Sequence, residues 1–182
     1  MKNLAAVICA SGIGDGLLMM IAVRHLKLSG YKVVLYHNSA DSLKLLFNDV
    51  QIIPHPSLDK LKYVLQKYDK ILVENDNSER AWHLFNNRQL FPQLSFFFPT
   101  PSSQMQKNDF LCDPNIPMAT NISQGCATLL GTSPSKKNGL TIPEDKTFRK
   151  YPRRIVIHPT SNDVKRNWKK EQFFKLAAIL EK

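Results

Sequence analysis

Short apolar runs alternate with amphipathic stretches along the first 130 residues. Residues 4–10 are almost continuously apolar, and residues 32–36, 50–53, 70–73 and 94–98 repeat that pattern. Between these runs the apolar positions fall three and four apart. Residues 16–28 place Leu17, Leu18, Ile21, Ala22 and Leu26 near one face, and residues 57–68 do the same with Leu58, Leu61, Val64 and Leu65. Residues 41–47 and 78–86 are shorter segments of this kind, with Ser39 and Ser78 where a helix N-cap belongs. Buried strands alternating with helical periods predict an α/β fold built on a parallel sheet. Residues 116–130 predict a further helix, although Ser123, Gly125 and Thr128 interrupt its apolar face.

After residue 130 the pattern changes. Residues 131–154 are rich in Pro, Lys and Ser and show no period. The spacing places the end of a first domain near residue 133 and a linker at 134–154. Residues 155–157 then predict a buried strand, residues 158–168 a polar, cationic loop, and residues 169–182 an amphipathic helix. Its candidate inward residues are Phe173, Phe174, Leu176, Ala177 and Leu180. One strand and one helix cannot cover each other's apolar faces in layers. Residues 155–182 therefore read as the start of an incomplete second domain, inactive alone or completed by another chain.

Charge sharpens this division. The chain of 182 residues carries a formal charge of +10. Residues 136–182 hold 13 Lys/Arg against 5 Asp/Glu, a balance of +8. A basic C-terminal section suits an anionic partner such as a nucleotide diphosphate or an acidic membrane surface, and equally a solvated basic face. No nucleic-acid motif accompanies it, so nucleic acid is not an expected partner. Cys9, Cys112 and Cys126 are three, without metal-ligand spacing. They read as reduced packing thiols in a cytoplasmic protein, with no metal site. No apolar run approaches the roughly 20 residues of a membrane span.

Two segments carry candidate chemistry. The first is Gly12-Ile13-Gly14-Asp15-Gly16-Leu17, between the first strand and the first helix. Glycines there let the backbone approach a ligand closely. A dinucleotide fingerprint needs a third small residue where Leu17 stands, and Asp15 would face a bound pyrophosphate. Asp15 reads either as a base at the edge of a cleft or as a partner of the helix dipole. The second segment is Ile157-His158-Pro159-Thr160-Ser161 with Lys165-Arg166-Asn167-Trp168. Two hydroxyls and two adjacent cations before a helix N-terminus suit a phosphate group. His158 ends the strand, and Trp168 reads as a packing anchor.

Together these segments resemble the ADP-heptose heptosyltransferases that build the lipopolysaccharide inner core. In that family an early G-[ILM]-G-D-x-[IL] loop is followed by H-P-[GT]-[AST] and a K-R-W element; Asn167 interrupts the last one here. The resemblance covers all of this chain and roughly half of a typical family member. It implies a GT-B fold: a Rossmann-like N-terminal domain with a parallel sheet, facing the acceptor, then a truncated second Rossmann-like domain for the donor. It implies inverting heptose transfer from ADP-heptose without metal or other cofactor, at or near the inner face of the membrane. Asp15 would be the base. Gly12, Gly14, Thr160, Ser161, Lys165 and Arg166 would hold the donor phosphates. The alternative is a non-catalytic remnant or binding module for an anionic partner such as nucleic acid.

Overall fold

The computed structural model describes residues 3–102, 104–141, 155, 157, 165 and 167–180. The chain separates into two compact units, Met1–Pro143 and Glu144–Lys182. In the first unit five parallel strands form one sheet: β1 (Leu4–Ile8), β2 (Lys32–Tyr36), β3 (Gln51–Ile53), β4 (Lys70–Glu74) and β5 (Leu94–Phe97). Their order is β3-β2-β1-β4-β5, with β1 central. Ile8 pairs with Tyr36 on one side and with Val73 on the other. This is a Rossmann-like α/β sheet, as the alternating pattern predicts.

Strand periodicity of two sends alternate residues to opposite faces. Ala5, Val7, Val33, Leu35, Leu72 and Phe97 enter one core with helices α1 (Ile13–Leu28), α2 (Ala40–Lys44) and α5 (Met118–Leu130). Ala6, Ile8, Val34, Tyr36, Ile71, Val73 and Phe96 enter the other. There they meet α3 (Leu61–Leu65) and α4 (Glu79–Asn86). The tyrosine hydroxyls of Tyr36 and Tyr68 satisfy each other in this second core at 2.7 Å.

Three elements differ from the pattern's expectation. The first helix begins at Ile13, and Met19, Met20 and Val23 are buried as fully as the expected face. It is apolar around most of its girth because it packs against α5 as well as the sheet. Residues 57–68 form only a 3-10 turn, Leu58–Lys60, and the short α3. Ser39 supplies no side-chain cap to α2; its N–H is instead bonded to His37. Ser78 does cap α4, accepting from Ala81 N at 3.2 Å.

Of the residues that interrupt the apolar face of α5, Ser123 and Gly125 are buried in its packing surface, while Thr128 is exposed. Asn121 is buried and ties the helix to the preceding loop, accepting from Asp113 N at 2.8 Å and donating to Asp113 O at 2.9 Å. Gly125 lies against the rings of Phe97 and Phe110, where an added Cβ would stand 2.7 Å from each. Gly131, at φ 64°, ends the helix in the left-handed conformation that lacks a Cβ penalty in glycine.

The loop after β5 is held by a buried, bidentate ion pair. Arg88 Nη1 and Nη2 each lie 2.8 Å from an Asp109 oxygen. Burial alone would raise the Asp109 carboxyl, but Arg88 and the N–H groups of Gln106 and Phe96 outweigh it and hold it low. Residues 132–141 run back over the first unit. His25 is bonded to Thr132 Oγ1 and to Ser135 O, and Thr141 N donates to Leu46 O.

In the second unit only α6 (Lys170–Leu180) is regular among the described residues. Phe173 and Leu176 are half-buried, while Phe174, Ala177 and Leu180 are exposed. Ile155 and Ile157 are not in a strand, and Val156 lies outside the described residues. No described helix is long and apolar enough to cross a membrane.

Gly125→Ala should lower stability by roughly 1–3 kcal/mol through overpacking, although alanine favours a helix interior by about 1 kcal/mol. Urea denaturation measures it. An unchanged midpoint would mean that the Phe97 and Phe110 rings yield freely.

Candidate functional site

Parallel strands all finish at one edge, and here four neighbouring strands present titratable or polar residues there. Cys9 follows β1, His37 follows β2, His55 lies just beyond β3, and Glu74 to Asp76 close β4. The order 3-2-1-4-5 places the switch in winding direction between β1 and β4. Ligands of open α/β sheets bind outside the carboxyl ends of the strands at such a point.

The turn at residues 12–16 lies over this edge. Gly12 is the N-cap of α1, and its carbonyl accepts from Asp15 N and Gly16 N, both at 3.1 Å. Asp15 is half-buried in the first helical turn. Its carboxyl folds back over Gly12, so that a Cβ on residue 12 would stand 2.6 Å from Asp15 Oδ2. Gly14 faces open space. Gly16 is required by a close approach instead: a Cβ there would stand 2.8 Å from Leu43 and 3.0 Å from the His37 ring.

Two buried side chains hold the turn from beneath. His37 Nε2 donates to Gly12 O at 2.9 Å, and its Nδ1 accepts from Ser39 N at 2.9 Å, which assigns the tautomer. Glu74 Oε2 accepts from Ala10 N at 2.9 Å. Burial pushes the Glu74 carboxyl up to about 7; the Ala10 bond opposes this, and the Asp15 and Asp76 carboxylates add to it. Burial, with Glu74 and Asp15, likewise raises the Cys9 thiol, and Arg80 only partly opposes it. Cys9 is therefore a packed thiol rather than a nucleophile.

Arg80 reaches the cluster from α4. Its Nη2 lies 3.2 Å from Cys9 O and 3.4 Å from Asp76 Oδ2. His55 stands 6.5 Å from His37 between ring centroids. Both of its ring nitrogens are buried with no hydrogen-bond partner among the described residues. Burial, then Arg80 and His37, push His55 down to about 3, against a smaller effect of Asp76. At the far side, Asn75 Nδ2 donates to Phe98 O at 3.1 Å, which holds Phe98 at φ 62° and ties β4 to the loop after β5.

Of the residues singled out in the sequence, Gly12, Gly14 and Asp15 share this one turn. Lys165 is exposed in the second unit. His158, Thr160, Ser161 and Arg166 lie outside the described residues. Sequence reasoning missed His37, His55, Glu74 and Arg80. The signal available was a polar residue closing each apolar run, such as Glu74 after Ile71, Leu72 and Val73.

No family model and no curated protein matches the chain in sequence. Its fold is similar to the E. coli heptosyltransferase WaaC solved with ADP. The TM-score is 0.64 at 14% identity, over 97% of this chain and 64% of that one. The same enzyme with ADP-2-deoxy-2-fluoro heptose gives 0.63 at 14% identity, over 97% of this chain and 65% of that one. The chain thus spans less than two thirds of the length of these structures. At this identity the likeness is one of fold, the Rossmann-like α/β architecture.

The two displaced groups give stability a defined pH dependence. Folded Glu74 keeps its proton to about pH 7, whereas the unfolded chain releases it near 4.5, so stability falls as pH rises through that window. His55 refuses a proton down to about 3 that the unfolded chain accepts near 6.5, so stability falls as pH drops through that window. Between pH 4.5 and 6.5 the two slopes cancel. Relative to wild type, Glu74→Gln should therefore gain stability as pH rises from 4.5 to 7, by at most about 1.4 kcal/mol per pH unit. His55→Phe should show the opposite slope. Urea midpoints across pH measure both, and parallel curves for all three proteins would contradict the assigned environments.

Proposed function

We propose that the first unit is the acceptor-side domain of a glycosyltransferase that uses a nucleotide-sugar donor, with Asp15 as the base. Residues from 155 onward contribute donor binding in this reading. The observation that carries it is the half-buried Asp15 carboxyl, presented by a glycine turn at the switch point of a Rossmann-like sheet. The fold likeness to a heptosyltransferase supports it.

In this reaction Asp15 takes the proton of an acceptor hydroxyl as its oxygen bonds to the anomeric carbon of the donor. The bond from that carbon to the diphosphate breaks on the opposite face, which inverts the configuration. The leaving diphosphate carries away the electron pair. Thr160, Ser161, Lys165 and Arg166 meet its charge, with Gly12 and Gly14 giving the donor room to approach. The specific donor is ADP-heptose and the acceptor a hydroxyl of the lipopolysaccharide inner core, reached from the membrane face. The excess of Lys/Arg in residues 136–182 suits both the diphosphate and an anionic surface.

In a preparation competent for heptose transfer, Asp15→Asn should lower the rate by about 10²–10⁴-fold with an unchanged unfolding temperature. Retained turnover would reject Asp15 as the base. Lys165→Ala with Arg166→Ala should weaken ADP binding by tenfold or more, since each charge-assisted bond contributes about 1.5–3 kcal/mol. Calorimetric titration reads this directly. Equal binding of ADP by the doubly substituted chain would mean that the pair is a solvated surface, and tighter binding of an unrelated polyanion by wild type would favour a simple anion-binding module.

A further inference from the structure

The first turn of α4 serves two places at once. Arg80 reaches from it to Cys9 O, in the segment that leads into the Asp15 turn. Its neighbours Ala81 and Trp82, with Phe85 further along the helix, line a separate cavity of about 70 Å³. The facing wall is the loop after β5, where Pro99, Thr100 and Ser102 stand. The proposed transfer leaves this cavity unused.

The cavity is preformed. Asn75, which follows β4, donates from Nδ2 to Phe98 O at 3.1 Å, and Phe98 N donates to Phe110 O at 2.7 Å. Phe98 is thereby held at φ 62°, where a bulky residue rarely stands. The next residue, Pro99, is buried as one wall. Across from it Trp82 packs edge-on to Phe85, with ring planes at 87° and centroids 6.4 Å apart. Trp82 nevertheless remains 46% exposed.

The lining selects a class of ligand. Ala81, Trp82, Phe85 and Pro99 make it apolar, and Thr100 and Ser102 bring exposed hydroxyls to it. No charged side chain lines it among the described residues, so a bare anion such as a diphosphate finds no counter-charge there. A plain hydrocarbon chain would cover the two hydroxyls without answering them. A sugar has both characters: C–H bonds make a face of its ring apolar, and hydroxyls surround its edge. An exposed indole offers the matching flat surface. The cavity is several times the ~10–15 Å³ that one water needs, room for one pendant group of a sugar but not for a whole ring. We propose that Trp82 and this cavity form a carbohydrate subsite: the acceptor ring lies on the indole, and one pendant group of hydroxymethyl size enters between Phe85 and Pro99. The proposal rests on the reading of this unit as the acceptor-side domain of a glycosyltransferase.

Trp82 and Trp168 are the two tryptophans of the chain, so Trp168→Phe leaves Trp82 as the sole indole reporter. Lipid-free inner-core oligosaccharide added to that variant should change its emission saturably. In calorimetry, Trp82→Leu should bind the oligosaccharide about tenfold more weakly, as removal of a large aromatic contact does, and Trp82→Phe should lose less. Thr100→Leu removes an exposed hydroxyl and crowds the mouth, and it must weaken binding as well. Unchanged affinity in both leucine variants, or an emission that answers decanoate and not the oligosaccharide, overturns the proposal. Asp15-dependent transfer whose acceptor KM ignores Trp82→Leu also overturns it and leaves the glycosyltransferase reading standing. Failure of that reading would show instead as retained transfer by Asp15→Asn, with the oligosaccharide still held at Trp82.

Discussion

Parallel pairing about β1 is the constraint on which the rest of the first unit depends. A parallel neighbour can be reached only by crossing back over a face of the sheet. Every strand therefore starts at one edge and stops at the other. β1 has partners on both sides and helices over both faces, so its residues are apolar or small from Ala5 to Ala10. The chain regains polarity only where the strands stop. Backbone topology, rather than any one motif, gathers Cys9, His37, His55 and Glu74 at one place.

Two buried ionic clusters in this unit show opposite designs. The Arg88–Asp109 pair is matched on its carboxylate side: both oxygens meet the guanidinium and backbone N–H groups, and Arg88 also lies over the Phe85 and Phe96 rings, with only its Nε lacking a hydrogen-bond partner among the described residues. Breaking such a pair typically costs about 3–5 kcal/mol, because one charge is left stranded. The cluster at the strand edge is open. Three carboxyl groups outnumber one guanidinium, and both buried nitrogens of His55 lack a hydrogen-bond partner among the described residues. Buried polar groups without partners are costly and tend to persist where a ligand answers them.

The architecture was legible because it rests on period. Strand runs near 4, 32, 50, 70 and 94 were visible as apolar blocks, and the intervening helices as three-and-four spacing. The helix at 57–68 was overstated because Leu58, Leu61, Val64 and Leu65 fit a helical stripe, yet the segment is a turn and one short helix. The glycine turn with Asp15 was legible as a motif. Its supports were not: Ala10 and Glu74 are 64 residues apart in sequence, and Gly12 and His37 are 25 apart. Single polar residues at strand ends carry no local pattern. Only the order of strands in the sheet makes them neighbours.

The packing of α5 on α1 also sets a schedule. Met19, Met20 and Val23 are on a helix complete by residue 28, but α5, which covers that helix, ends at Leu130. His25 then waits further, for Thr132 and Ser135. A ribosome adding about 5–20 residues per second leaves that apolar helix without its cover for roughly 5–20 s. A nascent chain halted anywhere in that interval shows the cell a sticky, unfinished surface, and a chaperone that binds early would have to release it only after α5 emerges.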